Sequence, residues 1–205
     1  MSEEEYDLTI NLSQEQLEII HEARANVVIG KAPVGERVNV AWLVFKPMQK
    51  NVLKWVNHYG VYASTCKISQ GSEIIQRSSI GAAMYRLYTL QANGGFSSSV
   101  SGGSADTFTV YNNYTVKKVM TIGLYQHANV NGDEVLGNAI SAAPVMTGHT
   151  ASITPNEHVY IWLQSNIKSN TVITKVTSRI TPLFFSDAIR CISVTYNDES
   201  GMFTK

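Results

Sequence analysis

Charged side chains are scarce in this 205-residue chain, and the two signs cancel. They make up 16% of the residues, against about 25% in a typical globular domain, and sixteen are basic and sixteen acidic. Proteins that bind nucleic acid by neutralising phosphates carry an excess of positive charge. The balance argues against a nucleic-acid partner and leaves neutral ligands, such as a glycan or a lipid headgroup.

Long apolar runs are also missing. Nowhere does the chain contain the roughly 18 consecutive apolar residues that a transmembrane helix needs. Its first ten residues, MSEEEYDLTI, are acidic, which is the pattern of neither a secretory signal peptide nor a basic transit peptide. We therefore expect a cytoplasmic protein, with release by a non-classical route left open.

Cysteine is nearly absent. In a reducing cytosol Cys66 and Cys191 are expected to be free thiols, with a bridge between them as the alternative. Neither they nor the five histidines show zinc-site spacing, and no phosphate-binding glycine loop or G-x-S-x-G motif occurs. The oxygen-rich turns at 129–134 and 197–201 lack EF-hand spacing. The sequence therefore predicts no catalytic residue by motif, no metal and no cofactor.

One helix is predicted, over residues 14–25. Ser13 and Gln16 have capping-box spacing, and Leu17, Ile20 and Ala23 form a narrow apolar stripe. From Val38 onward the chain is rich in Val, Trp, Tyr and Thr. Short apolar–polar stretches there alternate with Gly, Asn, Asp and Pro, which is typical of strands and turns.

These stretches predict a single domain, 1–205, with an all-β fold: a two-sheet antiparallel β-sandwich carrying the one N-terminal helix. Trp42, Trp55 and Trp162 are expected in its core. Residues 72–83 are ambiguous between a helical turn and an irregular strand. We expect 94–105, rich in Gly and Ser, to form a mobile surface loop, and 133–144 to be a long connection with one helical turn.

Two clusters combine tyrosine rings with amides at strand ends. Such groups suit a hydroxyl-rich neutral ligand, because the ring offers an apolar face and the amide offers hydrogen bonds. The predicted ligand-binding residues are Asn57, His58, Tyr59 and Tyr62 in the first cluster and Tyr111, Asn112, Asn113 and Tyr114 in the second. The leading hypothesis is a non-enzymatic, lectin-like protein that binds a neutral glycan or a lipid headgroup.

Two other functional classes stay open. Segment 96–116 is nearly uncharged and alternates like a transmembrane β-hairpin, which would fit a pore-forming toxin that oligomerises and inserts it at a membrane surface. An isomerase- or cyclase-type enzyme with a pocket inside the sandwich is the third class. Its first acid–base candidates are His58, Tyr125, His127 and Glu134.

Assembly into a homo-oligomer, most simply a symmetric dimer, is also expected. Stretches 157–166 and 170–178 are long and weakly charged, and unprotected strand edges tend to pair. A net charge of zero removes the repulsion that keeps many proteins apart.

Overall fold

The computed structural model describes residues 5–176 and 178–205. Residues 1–4 of the acidic N-terminal stretch and residue 177 of the predicted strand 170–178 lie outside the described residues. Strands hold 52% of the chain and the single helix 4%, so the all-β class with one N-terminal helix is confirmed.

The strands follow one another along the chain at short intervals, with helix α1 (Gln14–Glu22) between the first two. They are β1 (Glu5–Asn11), β2 (Ala25–Lys31), β3 (Val40–Ala41), β4 (Leu43–Phe45), β5 (Lys50–Val56), β6 (Tyr59–Ser64), β7 (Gln76–Ala82), β8 (Arg86–Leu90), β9 (Val100–Ser101), β10 (Phe108–Asn112), β11 (Val119–Val130), β12 (Asp133–Ala139), β13 (Ala143–Met146), β14 (Thr150–Ile153), β15 (Val159–Ser165), β16 (Thr171–Val172), β17 (Thr181–Leu183), β18 (Cys191–Asn197) and β19 (Met202–Thr204).

A nine-stranded sheet forms the largest layer. Its order is β19-β18-β1-β5-β11-β6-β7, and β12 and β13 also pair with the long strand β11. β1 lies inside this sheet, parallel to β18 and antiparallel to β5. The first and last parts of the chain therefore meet in one ladder.

Among the described residues, the other strands form three smaller ladders, where a two-sheet sandwich was predicted. Two have four strands, in the orders β14-β10-β8-β9 and β17-β15-β2-β4, and β16 pairs with β3. One core cluster of buried residues runs from Tyr6 to Phe203 and includes Trp42 and Trp55. Trp162 is fully buried in a smaller cluster, so the prediction that all three tryptophans are core residues is confirmed.

Helix α1 begins as predicted. The Ser13 side chain accepts a hydrogen bond from the Gln16 backbone N–H, and the Gln16 side chain accepts one from the Ser13 N–H. Leu17 and Ile20 are buried. The helix ends at Glu22 rather than residue 25, because Arg24 takes a left-handed φ of 50° and β2 begins at Ala25.

The prediction of a long connection with a helical turn at 133–144 was wrong. Asn131 and Gly132 have φ values of 55° and 97°, which make a tight hairpin turn, and this turn folds β12 back onto β11. β13 then pairs with the other end of β11. The ambiguous stretch 72–83 contains strand β7.

Segment 96–116 contains β9 and β10, which both pair with β8 instead of with each other. β10 is an inner strand between β8 and β14. In this fold the segment is therefore not a self-paired hairpin. Strand β15, expected as an exposed edge, is paired on both sides by β2 and β17.

Because β15 is paired on both sides, it offers no free edge for a second copy of the chain, and the homo-oligomer stays a prediction.

Within residues 5–176 and 178–205, no helix is both long enough and apolar enough to cross a bilayer.

Candidate functional site

A cleft of about 590 Å³ opens where five strands of two sheets come together. Its volume lies within the roughly 300–1,000 Å³ range of small-molecule sites. It is lined by Asn57, His58, Tyr59, Gly81, Ala82, Ala83, Met84, Tyr88, Phe108, Tyr125 and His127. These lining residues include no aspartate, glutamate, lysine or arginine.

Strand pairing brings the walls together. The β5–β6 turn supplies Asn57 and His58, and β6 pairs with β7 at Tyr59–Ala82 and with β11 at Tyr59–Gln126. Gly60 lies opposite Tyr125 in the ladder, and a Cβ there would be 2.0 Å from the Tyr125 ring. The missing side chain lets that ring lie across β6, where it forms a half-buried wall of the cleft.

The opposite wall is fixed by buried rings. Tyr59 and Phe108 have ring centroids 5.6 Å apart and join the nine-stranded sheet to β10. The Tyr88 hydroxyl accepts a 2.8 Å hydrogen bond from the Ala83 N–H, which holds the link after β7 in place. Because these three rings are almost fully buried, the accessible tyrosine ring in this cleft is that of Tyr125.

Two histidines complete the rim. The Gly137 N–H donates to Nδ1 of His127 at 2.9 Å, so a neutral His127 ring carries its proton on Nε2. Its ring centroid is 5.7 Å from that of Tyr125, edge to face. Burial raises the pKa of the Tyr125 hydroxyl, so this group is a neutral hydrogen-bond donor and acceptor around neutral pH.

Asn57 connects the cleft to the interior. Its amide nitrogen donates to the Tyr6 hydroxyl and to Glu157 Oε1, both at 3.1 Å, and its oxygen accepts from the Tyr59 hydroxyl at 3.3 Å. The Tyr6 hydroxyl donates to Asp187 Oδ1 at 3.4 Å. Burial, together with the charge of Glu157, raises the pKa of Tyr6 to about 12. These bonds hold Asn57 and Tyr59 in one orientation.

A buried amine lies behind Tyr59. Lys31 is 1% exposed, and its Nζ lies 4.9 Å from the ring centroid of Trp42, 5.0 Å from that of Trp55 and 5.9 Å from that of Tyr59. We call Lys31 and these three rings the lysine cage. Within the described residues Nζ has no hydrogen-bond partner. Burial lowers the pKa of Lys31 to about 7, although the charge of Glu157 acts in the opposite direction.

The cage is packed tightly from outside. Tyr6 stacks on Trp55 at 5.7 Å, Phe185 meets Trp55 edge to face at 5.0 Å, and the Trp42 Nε1–H donates to the Gln126 carbonyl at 3.2 Å. Gln126 is fully buried, and its side-chain oxygen has no hydrogen-bond partner in the described part of the chain. Tyr59 alone belongs to both the cage and the cleft lining, so it couples the two.

The first predicted cluster divides between cleft and core. Asn57, His58 and Tyr59 line the cleft. Tyr62 is fully buried, and its hydroxyl donates to the Ser141 carbonyl at 2.7 Å. Its place in the structure is that of a packing residue.

The second predicted cluster lies at the other end of β10 from Phe108. Asn112 is fully buried and donates to the Val145 carbonyl at 2.9 Å. Tyr111 and Tyr114 are half-buried and Asn113 is exposed. The structure therefore does not bring the two clusters into one site.

Three of the four acid–base candidates, His58, Tyr125 and His127, line the cleft. Glu134 instead lines a smaller depression that it shares with His127. Sequence reasoning did not select Met84, Tyr88 and Phe108 as cleft residues, and it did not identify Lys31 as the buried amine behind Tyr59. A lysine directly after the apolar run VVIG was the one available signal for Lys31.

Other sequence features lie apart from the cleft. Cys66 is half-buried, Cys191 is exposed, and both are free thiols. In the ranges 5–176 and 178–205, no group of three or more His, Cys, Asp or Glu side chains is arranged to hold a metal ion.

Comparison with known proteins gave no relative: no family model matches the chain, and neither the curated proteins nor the solved structures include a significant match.

Proposed function

We propose that this cleft binds a neutral, hydroxyl-rich ligand, most simply a glycan, and releases it unchanged. One observation carries the proposal: a small-molecule-sized cleft is lined by aromatic rings, an amide and two imidazoles, without a formally charged side chain. A charged ligand would lose its hydration there without gaining an opposite charge. A sugar could lay an apolar face on the Tyr125 ring and hydrogen-bond to Asn57 and the imidazoles.

Replacing Tyr125 by alanine is expected to weaken ligand binding by roughly 10-fold, since the accessible ring would be lost. Purified protein would first be screened on a glycan array, and hits would be measured by titration calorimetry. Tyr114→Ala is the matched control, because Tyr114 is also a half-buried tyrosine but lies at the far end of β10. Absence of any glycan hit, or equal loss in the two variants, would contradict the proposal.

An acid–base enzyme is the second candidate, and it rests on the convergence of His58, Tyr125 and His127 in one cleft. A neutral His127 keeps its Nε2–H because Nδ1 accepts from the backbone. Such a ring can donate a proton, and a second histidine nearby can accept one.

For this candidate we expect His127→Gln to keep ligand affinity within about 3-fold while lowering turnover by 100-fold or more. The measurement is product formation from each array hit, followed by NMR, with affinity determined in parallel. Full recovery of every ligand after prolonged incubation with wild-type protein would exclude turnover and leave the binding proposal in place.

A further inference from the structure

The net charge of zero conceals two oppositely charged parts of the chain. Residues 37–156 hold nine of the sixteen basic side chains but only four of the sixteen acidic ones, which are Glu73, Asp106, Asp133 and Glu134. The rest of the chain has seven basic and twelve acidic side chains. Because this stretch has more basic than acidic side chains, its exposed lysines can be attracted to a negatively charged surface even though the whole protein is neutral.

One part of this stretch exposes apolar side chains beside lysines. Val116 is 75% exposed, Met146 is 53% exposed and Val119 is 46% exposed. Lys117 and Lys118 lie between the two valines and are also exposed. We call these five residues the apolar–basic tip.

The tip is held in a fixed shape by the sheet beneath it. Val119 pairs with Met146 where β11 meets β13, and the Thr147 N–H donates to the Lys118 carbonyl at 3.0 Å. The Thr147 hydroxyl is within hydrogen-bond distance of the carbonyls of Tyr114, at 2.7 Å, and Lys117, at 2.9 Å. Lys117 Nζ donates to the Thr65 carbonyl at 3.2 Å. The apolar side chains are therefore presented by an ordered backbone.

Three of the four acidic residues of this region lie away from the tip. Asp106 precedes β10, whereas the tip follows it, and its carboxylate accepts from the Tyr85 hydroxyl. Asp133 and Glu134 pair with the far end of β11, at Val130 and Asn129. Glu73 precedes β7, whose first residue pairs with Ser64 at the same end of β6 that pairs with Thr121, next to the tip. Within residues 5–176 and 178–205, however, the one salt bridge is Lys54–Glu5, so neither lysine of the tip is paired with Glu73 or with another carboxylate.

We propose that the apolar–basic tip docks the protein on a bilayer that contains anionic phospholipid. Lysines are attracted to the negative headgroups. Exposed valine and methionine side chains are removed from water when they enter the boundary between headgroups and acyl chains, which is favourable. Nucleic acid would satisfy only the lysines and would leave the three apolar side chains without a partner.

Docking would leave the cleft open. Val119 and Tyr125 are six positions apart on β11, which is about 20 Å of extended strand. The cleft lies at the opposite end of β6 and β11 from the tip, so a docked molecule could hold a ligand away from the membrane. The docking proposal does not depend on what the cleft binds.

The first test is co-sedimentation with vesicles of phosphatidylcholine alone and of equimolar phosphatidylcholine and phosphatidylserine. Wild-type protein should bind the anionic vesicles more tightly, and less so as salt is raised. Removing both charges in Lys117→Gln/Lys118→Gln should lower partitioning about 25-fold, or about 5-fold for each lysine. Lys168→Gln/Lys175→Gln removes the same charge from exposed positions elsewhere and should change partitioning less than 3-fold.

A second test locates the contact. Val116→Trp places a fluorophore on the tip, whereas the native tryptophans are buried. Its emission should shift to the blue when anionic vesicles are added, and that of Leu136→Trp, which replaces a side chain 70% exposed on β12, should not.

Three outcomes would each overturn docking at the tip. The first is that wild-type protein does not bind anionic vesicles, and the second is that the two double-lysine variants partition equally. The third is an unchanged Val116→Trp spectrum in vesicle-bound protein. A molecular mass above one chain without lipid, lost in the tip variant, would assign the tip to self-association instead. Failure to bind glycans would leave these results unaffected.

Discussion

The Lys31→Met variant is expected to be more stable than the wild-type protein at pH 7, by about 1–4 kcal/mol. In the folded protein Lys31 Nζ is enclosed by three aromatic rings and has no hydrogen-bond partner within the described residues. Attraction to the rings offsets only part of the cost of removing the amine from water. Methionine is similar in length, and its sulfur packs well against aromatic rings. Chemical denaturation monitored by fluorescence measures the difference.

The same variant should lose a pH dependence that the wild-type protein shows. The pKa of Lys31 falls from 10.5 to about 7 on folding. Between these values the unfolded chain binds more protons than the folded one, so stability rises with pH. From pH 7 to pH 9 the gain is roughly 2–3 kcal/mol at about 1.4 kcal/mol per unit. Below pH 7 the amine is protonated in both the folded and the unfolded state, so the free-energy cost of burying it no longer depends on pH.

Subtracting the Lys31→Met values from those of the wild type isolates this effect, because the other titrating groups are common to both proteins. The advantage of the variant should shrink as pH rises from 7 to 9. Lys168→Met, at an exposed lysine, should change stability by less than about 0.5 kcal/mol across the same range. A constant difference between wild type and Lys31→Met would show that Lys31 does not change its protonation on folding.

Replacing Gly123 by alanine is expected to destabilise the fold by about 3 kcal/mol or more. A Cβ at this position would lie 1.9 Å from the Ser141 carbonyl oxygen, which is backbone and cannot rotate away. That oxygen also accepts the hydrogen bond of the buried Tyr62 hydroxyl. Moving it would leave a buried polar group without its partner and would separate β11 from the segment that leads to β13.

Gly81→Ala is the matched control for this substitution. Gly81 is also a strand glycine, its φ is not positive, and a Cβ there meets no atom within 4 Å. We expect a change within about 0.5 kcal/mol in thermal and urea unfolding. If both alanine variants unfold alike, the close approach of Ser141 to Gly123 is not what this position requires.

Local signals predicted the elements whose determinants lie close together in sequence. Ser13 and Gln16 are three residues apart, and the start of α1 follows from that spacing alone. Asn131 and Gly132 likewise specify the turn between β11 and β12. Residues 133–144 were nevertheless misassigned. Gly137 and Pro144 by local preference interrupt a regular element, but Gly137 lies within β12 and Pro144 within β13.

The strands β1 and β2 escaped prediction because their partners are far away in sequence. β1 is held between β5 and β18, so its pairing with Cys191–Thr195 exists only after the chain has closed. β2 is held between β4 and β15, and it carries Lys31 into the aromatic cage. The helix prediction also extended into Ala25, where β2 begins.

For the candidate site, the sequence indicated the residue types and the structure decided their grouping. Asn57, His58 and Tyr59 were chosen for their aromatic and amide character, and they do line the cleft. The same reasoning chose Tyr62 and Asn112, which are fully buried and hydrogen-bonded inside the protein. Chemistry alone cannot distinguish these cases, because alternate residues of a strand face opposite sides and the pairing decides which side is buried.

By itself, the sequence determined the all-β class, the capped helix, the Asn-Gly turn and the burial of the three tryptophans, because each depends on local pattern or on the size of an apolar side chain. Only the tertiary structure decided that Tyr125 crosses Gly60 to form a cleft, that Lys31 lies among aromatic rings and that Met146 joins Val119 beside the lysines of the tip. Each of those features joins residues from strands remote in sequence, and no local preference encodes which remote strands will pair.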